Sequence, residues 1–160
     1  MTTVKENTNA VQSDIAEVQF SLNRLLANYQ IHYQKLRNFH WNIVGPNFFE
    51  LHEQFEVEYN EVRQQIDTIA ERVRILGAKP YSTLKEYLDI AKIKEIPDKL
   101  SDYGMVEEII SDYTMLLPML VSVLEVSRKA EDSSTEDMVT GIIQRMEKRK
   151  WMFTAWMEKA

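Results

Sequence analysis

Residues 38–56 read NFHWNIVGPNFFELHEQFE, a stretch that puts two of the chain's three histidines, His40 and His52, on either side of a Gly-Pro turn. Glu56 follows His52 by one helical turn. Imidazole and carboxylate are ligands for borderline and hard divalent cations. The chain has no cysteine, which excludes disulfides and thiolate metal sites and leaves His, carboxylate and carbonyl groups as the available ligands. Two further acids, Asp67 and Glu71, belong to the same pattern: at about 100° per residue from His52, Glu56 falls near 40°, Asp67 near 60° and Glu71 near 100°. The apolar residues of this segment, Leu51, Phe55, Val62, Ile66, Ile69 and Val73, centre at about 280°. The candidate ligands therefore flank the core and border a second surface.

Length decides how such a stripe can work. Fifteen residues separate His52 from Asp67, about 22 Å along a helix axis, so a metal ion held by one end cannot touch the other. Two copies of the helix packed antiparallel about a two-fold axis bring the His52/Glu56 end of one to the Asp67/Glu71 end of its mate and make two equivalent sites. His40, at the end of the preceding helix, can fold back beside His52 and supply a second imidazole. Two imidazoles and three carboxylates suit one or two ferrous ions, and zinc or manganese also fits. The competing expectation is an ordinary solvated face in which Arg63 pairs with Asp67 and Arg74 with Glu71. Against it, Asp67 and Glu71 are like charges one turn apart, which a bound cation would compensate.

The elements that must carry these groups are helical. At 44% hydrophobic and 28% charged residues, with four Gly and four Pro in 160 residues, the composition is that of a helical globular domain. Ile15, Val18, Leu22, Leu25, Leu26, Tyr29, Tyr33 and Leu36 mark one amphipathic helix over Val11–Phe39. Gly45-Pro46 stops it. Asn47, with Glu50 at the reciprocal position, is expected to cap a second helix running to about Leu76, where Gly77 ends it. A connection from about Ala78 to Tyr103 contains Pro80 and Pro97. A Thr83/Glu86 capping box and the stripe Leu84, Tyr87, Leu88, Ala91 predict a short helix within it. A third long helix covers about Asp102–Lys129, its Pro118 predicting a kink or a lost hydrogen bond. A fourth starts at Ser133 and Glu136 and carries Val139, Ile142, Ile143, Met146, Phe153 and Trp156. Four long helices and one long middle connection specify an all-α, ferritin-like four-helix bundle with a short extra helix between helices 2 and 3. Residues 1–160 form one such domain, with 1–10 as a flexible N-terminal arm. The Glu-x-x-His pair of the usual intrachain di-iron centre is missing, which again favours a site between copies.

The residues FHWNIVGPNFFELHEQFE, followed by IDTIAERVRILGA, closely resemble the Dps family of mini-ferritins over about residues 12–157. That resemblance implies a hollow twelve-subunit shell that oxidises ferrous iron, typically with hydrogen peroxide, at ferroxidase centres on two-fold interfaces and stores ferric mineral inside. By position it implies His40, His52 and Glu56 as iron ligands from one subunit and Asp67 and Glu71 from its mate. The family commonly has Asp where this chain has Glu56. Trp41 resembles the family's site-flanking aromatic, and is equally an interface-packing tryptophan. The family's shell also implies an acidic entry pore, for which Glu131, Asp132, Glu136 and Asp137 are the candidates; a solvated hairpin is the plainer account of that charge run. His32, on the stripe of Leu25, Tyr29 and Leu36, is expected to be a hydrogen-bonded core histidine.

The family's name points to DNA binding, which in many members depends on a Lys-rich arm. Here residues 1–14 contain Lys5 but also Glu6 and Asp14, Lys159 sits beside Glu158, and the net charge is −6. Few cationic contacts release few counterions, so DNA binding is expected to be weak or absent. A non-catalytic DNA-coating nucleoid protein is therefore the second expectation, and a helical oligomer holding zinc or nothing the third. The N-terminal MTTVKENTNAVQSD lacks a basic and an apolar region, and the apolar run Met115–Leu124 is short and contains Pro118, so neither a secretory signal nor a membrane span is expected. A cytoplasmic protein is the simplest expectation.

Overall fold

The five helices of the computed structural model follow the sequence pattern closely; residues 2–97 and 99–158 are described, with side chains from residue 12 onward. They are α1 (Thr2–Asn42), α2 (Phe48–Ile75), α3 (Leu84–Ile90), α4 (Asp102–Lys129) and α5 (Ser133–Met157). α1 extends the predicted helix at both ends, continuing through the backbone of residues 2–10 that was expected as an arm.

α1 packs on α2 and on α4, and α4 on α5. The ion pairs give the directions. Lys129 meets Asp14 while Lys35 meets Asp112, so α4 runs against α1; Arg72 meets Asp132 while Arg145 meets Glu61, so α5 runs against α2. α2 and α4 are consequently parallel, and the long connection between them crosses the bundle, the ferritin-like arrangement. The apolar stripes converge on a core that includes Leu22, Leu26, Tyr29, Phe39, Phe55 and Tyr113.

Local chemistry sets the joints. Gly45 takes φ 108° in the turn after α1, a conformation that side chains with a Cβ avoid. At the end of α2, Gly77 has φ 90°, its N–H reaches Arg74 O and the Ala78 N–H reaches Val73 O, which is a Schellman closure. The Thr83/Glu86 capping box forms as predicted. Of the α3 stripe, however, only Tyr87 and Ala91 are buried, whereas Leu84 and Leu88 face out. The expected Asn47/Glu50 box does not form: Asn47 Nδ2 instead donates to Asp102 Oδ2 at 2.7 Å, tying the start of α2 to the start of α4. α5 is capped by Asp132, one residue ahead of the predicted start.

The crossover is held by polar side chains of α1. Asn28 Oδ1 accepts from the N–H groups of Lys92 and Ile93, Asn23 Oδ1 from that of Tyr81, and Asn38 Nδ2 donates to Ile96 O. α4 continues unbroken through Pro118, so the ring is absorbed as a missing N–H rather than as a break. α4 is also the one helix among the described residues long and apolar enough to match a membrane span by length and composition. Its stripe, from Met105 through Ile109, Leu116 and Leu120 to Val123, is buried in the bundle.

Candidate metal centre

α1 and α2 meet at the Gly45 turn, and there the two histidines come face to face. Their rings stack with centroids 3.8 Å apart and planes inclined by 23°. The hydrogen bonds are reciprocal: His40 Nδ1 lies 2.8 Å from His52 O, and His52 Nδ1 lies 2.9 Å from His40 O. A carbonyl oxygen only accepts, so both Nδ1 atoms carry a proton; in the neutral tautomer this selects, the lone pair is on Nε2. His40 O is among the last four carbonyls of α1, which have no partner within the helix, and the imidazole of His52 satisfies it. A backbone contact of this kind fixes tautomer and ring orientation in metal-binding histidines. His40 is buried at 8% exposure and His52 half-buried, with Phe48 stacked on the outer face of His52 at 5.0 Å.

Glu56 lies exposed one turn along α2, and its Oε1 accepts from the Tyr59 hydroxyl at 3.3 Å. Burial, and then the Glu56 carboxylate, push the Tyr59 phenol upward, so it remains a donor. Asp67 and Glu71 lie exposed farther along the same helix. Among the described residues neither makes an ion pair: Arg74 donates to Ala78 O instead, and Arg63 forms no salt bridge. The solvated ion-pair face is thus not formed. Nor do three or more His, Asp or Glu groups gather in one chain so as to hold a metal, again among the described residues. One protomer brings together His40 and His52, holds Glu56 on Tyr59 nearby, and leaves Asp67 and Glu71 apart.

Trp41 is 57% exposed, with the Arg37 guanidinium 4.8 Å over its ring, so within its own chain it packs against little else. Besides Phe48, the aromatic that touches the site is Tyr59, edge-on to His40 at 5.3 Å and to Tyr33 at 6.2 Å. Spacing gave no reason to single it out, although a tyrosine three residues after a candidate ligand is within hydrogen-bonding reach on a helix.

The bundle interior holds a second polar cluster. His32, fully buried, sits 2.7 Å from Asp112 through Nδ1, as a core histidine should; Asp112 also accepts from Lys35 at 2.8 Å. Glu58 accepts from Tyr113 and pairs with Arg149. Burial first, and then Glu58, push the Tyr113 phenol well above its ordinary range. Sequence reasoning missed Glu58, Asp112 and Lys35, whose only signal was charge on otherwise apolar stripes. Of the acids proposed for a pore, Asp132 is buried, caps α5 and pairs with Arg72 of α2, and Glu136 pairs with Arg128 at the surface.

Comparison with known proteins identifies the family and the fold. Residues 21–160 match the model of the ferritin-like domain family. The DNA protection during starvation protein 2 of Bacillus anthracis is 42% identical over 138 residues, covering 86% of this chain and 94% of that protein. The corresponding protein of Brevibacillus brevis is 44% identical over 137 residues, covering 86% and 92%. The fold superposes on the crystal structure of a Dps protein from Vibrio cholerae O1 with TM-score 0.90 at 35% identity, covering 92% of each chain; that protein is described as a member of a broad superfamily of ferritin-like diiron-carboxylate proteins.

Proposed function

Since this chain belongs to the Dps family of ferritin-like proteins, we propose that it is an iron-storage and detoxification protein, a ferroxidase whose centres are shared between subunits. The observation that carries this proposal is the reciprocal pair of imidazole–carbonyl hydrogen bonds, which occupies the Nδ1 of both stacked rings and leaves the Nε2 of each as the nitrogen that can ligate a metal. His40, His52 and Glu56 of one subunit would meet Asp67 and Glu71 of another, a donor set in which nitrogen holds the ferrous ions and carboxylates stabilise the ferric product. Iron here is substrate and cargo. Hydrogen peroxide takes one electron from each of two ferrous ions; its O–O bond breaks and, with two protons, two water molecules result. Paired one-electron transfers to a single peroxide release no hydroxyl radical, which makes the reaction protective against oxidative stress.

The ferric product is stored, in this proposal, inside a hollow homo-oligomeric shell, a dodecamer built from single ferritin-like domains, in the cytoplasm. DNA coating is a lesser role, given the few cations of the N-terminal segment. Anaerobic titration of apo protein with ferrous iron, followed by peroxide, tests the proposal in wild type, His52→Ala and Asp67→Ala. Fast oxidation in the wild type and slow oxidation in both variants is the expected result. Equal rates in all three would remove the enzymatic reading.

A further inference from the structure

Tyr59 touches both an imidazole, that of His40, and a candidate carboxylate, that of Glu56. Its ring is fixed on two sides, edge-on to His40 at 5.3 Å and 81° and edge-on to Tyr33 at 6.2 Å and 74°. Tyr33 is in turn covered by the Arg37 guanidinium at 5.2 Å. The Tyr59 hydroxyl is consequently a donor at a set position, and it is spent on Glu56 Oε1. Glu56 is exposed, and among the described residues its carboxylate makes no other hydrogen bond and no ion pair. Without Tyr59 an exposed glutamate samples several rotamers and loses that freedom on coordinating a metal. With Tyr59, one carboxylate oxygen is held by a hydroxyl whose ring contacts His40, and the other is left with its lone pairs available.

We propose that Tyr59 is a positioning residue of the metal centre, which presents Glu56 as a pre-oriented carboxylate ligand through its second oxygen. This rests on the shared centre proposed above. Hydrogen bonds to ligating carboxylates typically contribute about 10–100-fold to metal affinity. The effect should be specific to the glutamate side chain: an aspartate, one methylene shorter, holds its carboxylate too close to the helix to meet a hydroxyl whose ring is pinned elsewhere.

The test is an anaerobic titration of the assembled apo protein with cobalt(II), followed by its visible absorption, in a double-mutant cycle of Tyr59→Phe and Glu56→Asp. Phenylalanine keeps the ring contacts, and thermal melting checks that the variants fold. Tyr59→Phe should weaken cobalt binding about tenfold in the Glu56 background and change the band shape. In the Glu56→Asp background it should add nothing. Unchanged or tighter binding in Tyr59→Phe, or an equal loss in both backgrounds, overturns the inference and leaves the shared centre standing. Wild-type protein that binds no cobalt, or binds it as well after His52→Ala, overturns both.

Discussion

Two inactive variants should restore one another when mixed, in a proportion fixed by geometry. His52→Ala removes a proposed ligand from the imidazole end of α2 and Asp67→Ala one from the acid end, about 22 Å away along the axis at about 1.5 Å per residue. Each variant alone spoils every shared centre. In a two-fold pair containing one copy of each, one centre carries both substitutions and the other carries neither. Random reassembly from equal amounts makes half of the pairs mixed, so about a quarter of all centres are intact. Co-assembly after denaturation, or co-expression of two distinguishable tags, should therefore give a peroxide-dependent ferrous oxidation rate near a quarter of wild type, with each parent close to the background. A mixture no faster than its parents would refute the division of the site between copies. So would a folded, solitary protomer that oxidises iron as fast as the assembled protein.

Arg149→Met strips the buried Glu58 carboxylate of its cation and should lower stability in urea by about 3–5 kcal/mol, most of it recovered when Glu58→Leu is added. Asp132 is pushed up by burial, but hydrogen bonds from Thr135 and the Arg72 guanidinium outweigh this and hold its carboxyl below the usual range. The stability it supplies is thus complete above the unfolded aspartate pKa of about 3.9 and lost as pH falls through the lower folded value, so the melting difference between wild type and Asp132→Asn should close on acidification through that window. Gly77→Ala forces a Cβ into φ 90° and should reduce stability by about 1–2 kcal/mol in thermal melts without affecting cobalt binding. Gel shifts at about 0.15 M salt, where exposed charges are screened beyond about 8 Å, should show no tight DNA complex.

The long helices were legible because their apolar stripes repeat at helical spacing over many turns, and the ends were legible where Gly or a capping box marked them. His40 and His52 could be paired from the Gly-Pro turn alone, since a tight hairpin leaves the residues beside it little choice of neighbour. The Asn47 cap failed for a tertiary reason: Asp102, 55 positions away, competes for its side chain. The same holds for Asn23, Asn28 and Asn38, whose partners lie in the crossover and leave no local signature. Tyr59 and Glu58 were hidden differently. A tyrosine or glutamate on an amphipathic helix is compatible with surface and core alike, and only the facing helix decides which.

The cations inside the bundle bear on how the storage vessel proposed above would survive its own use. Small folds that depend on metal ligation collapse when emptied, because binding and folding share one free energy. Here Lys35 answers Asp112 and Arg149 answers Glu58 within each chain, so the walls stand on their own charges. In the proposed function, filling and draining would then alternate without the container unravelling between cycles.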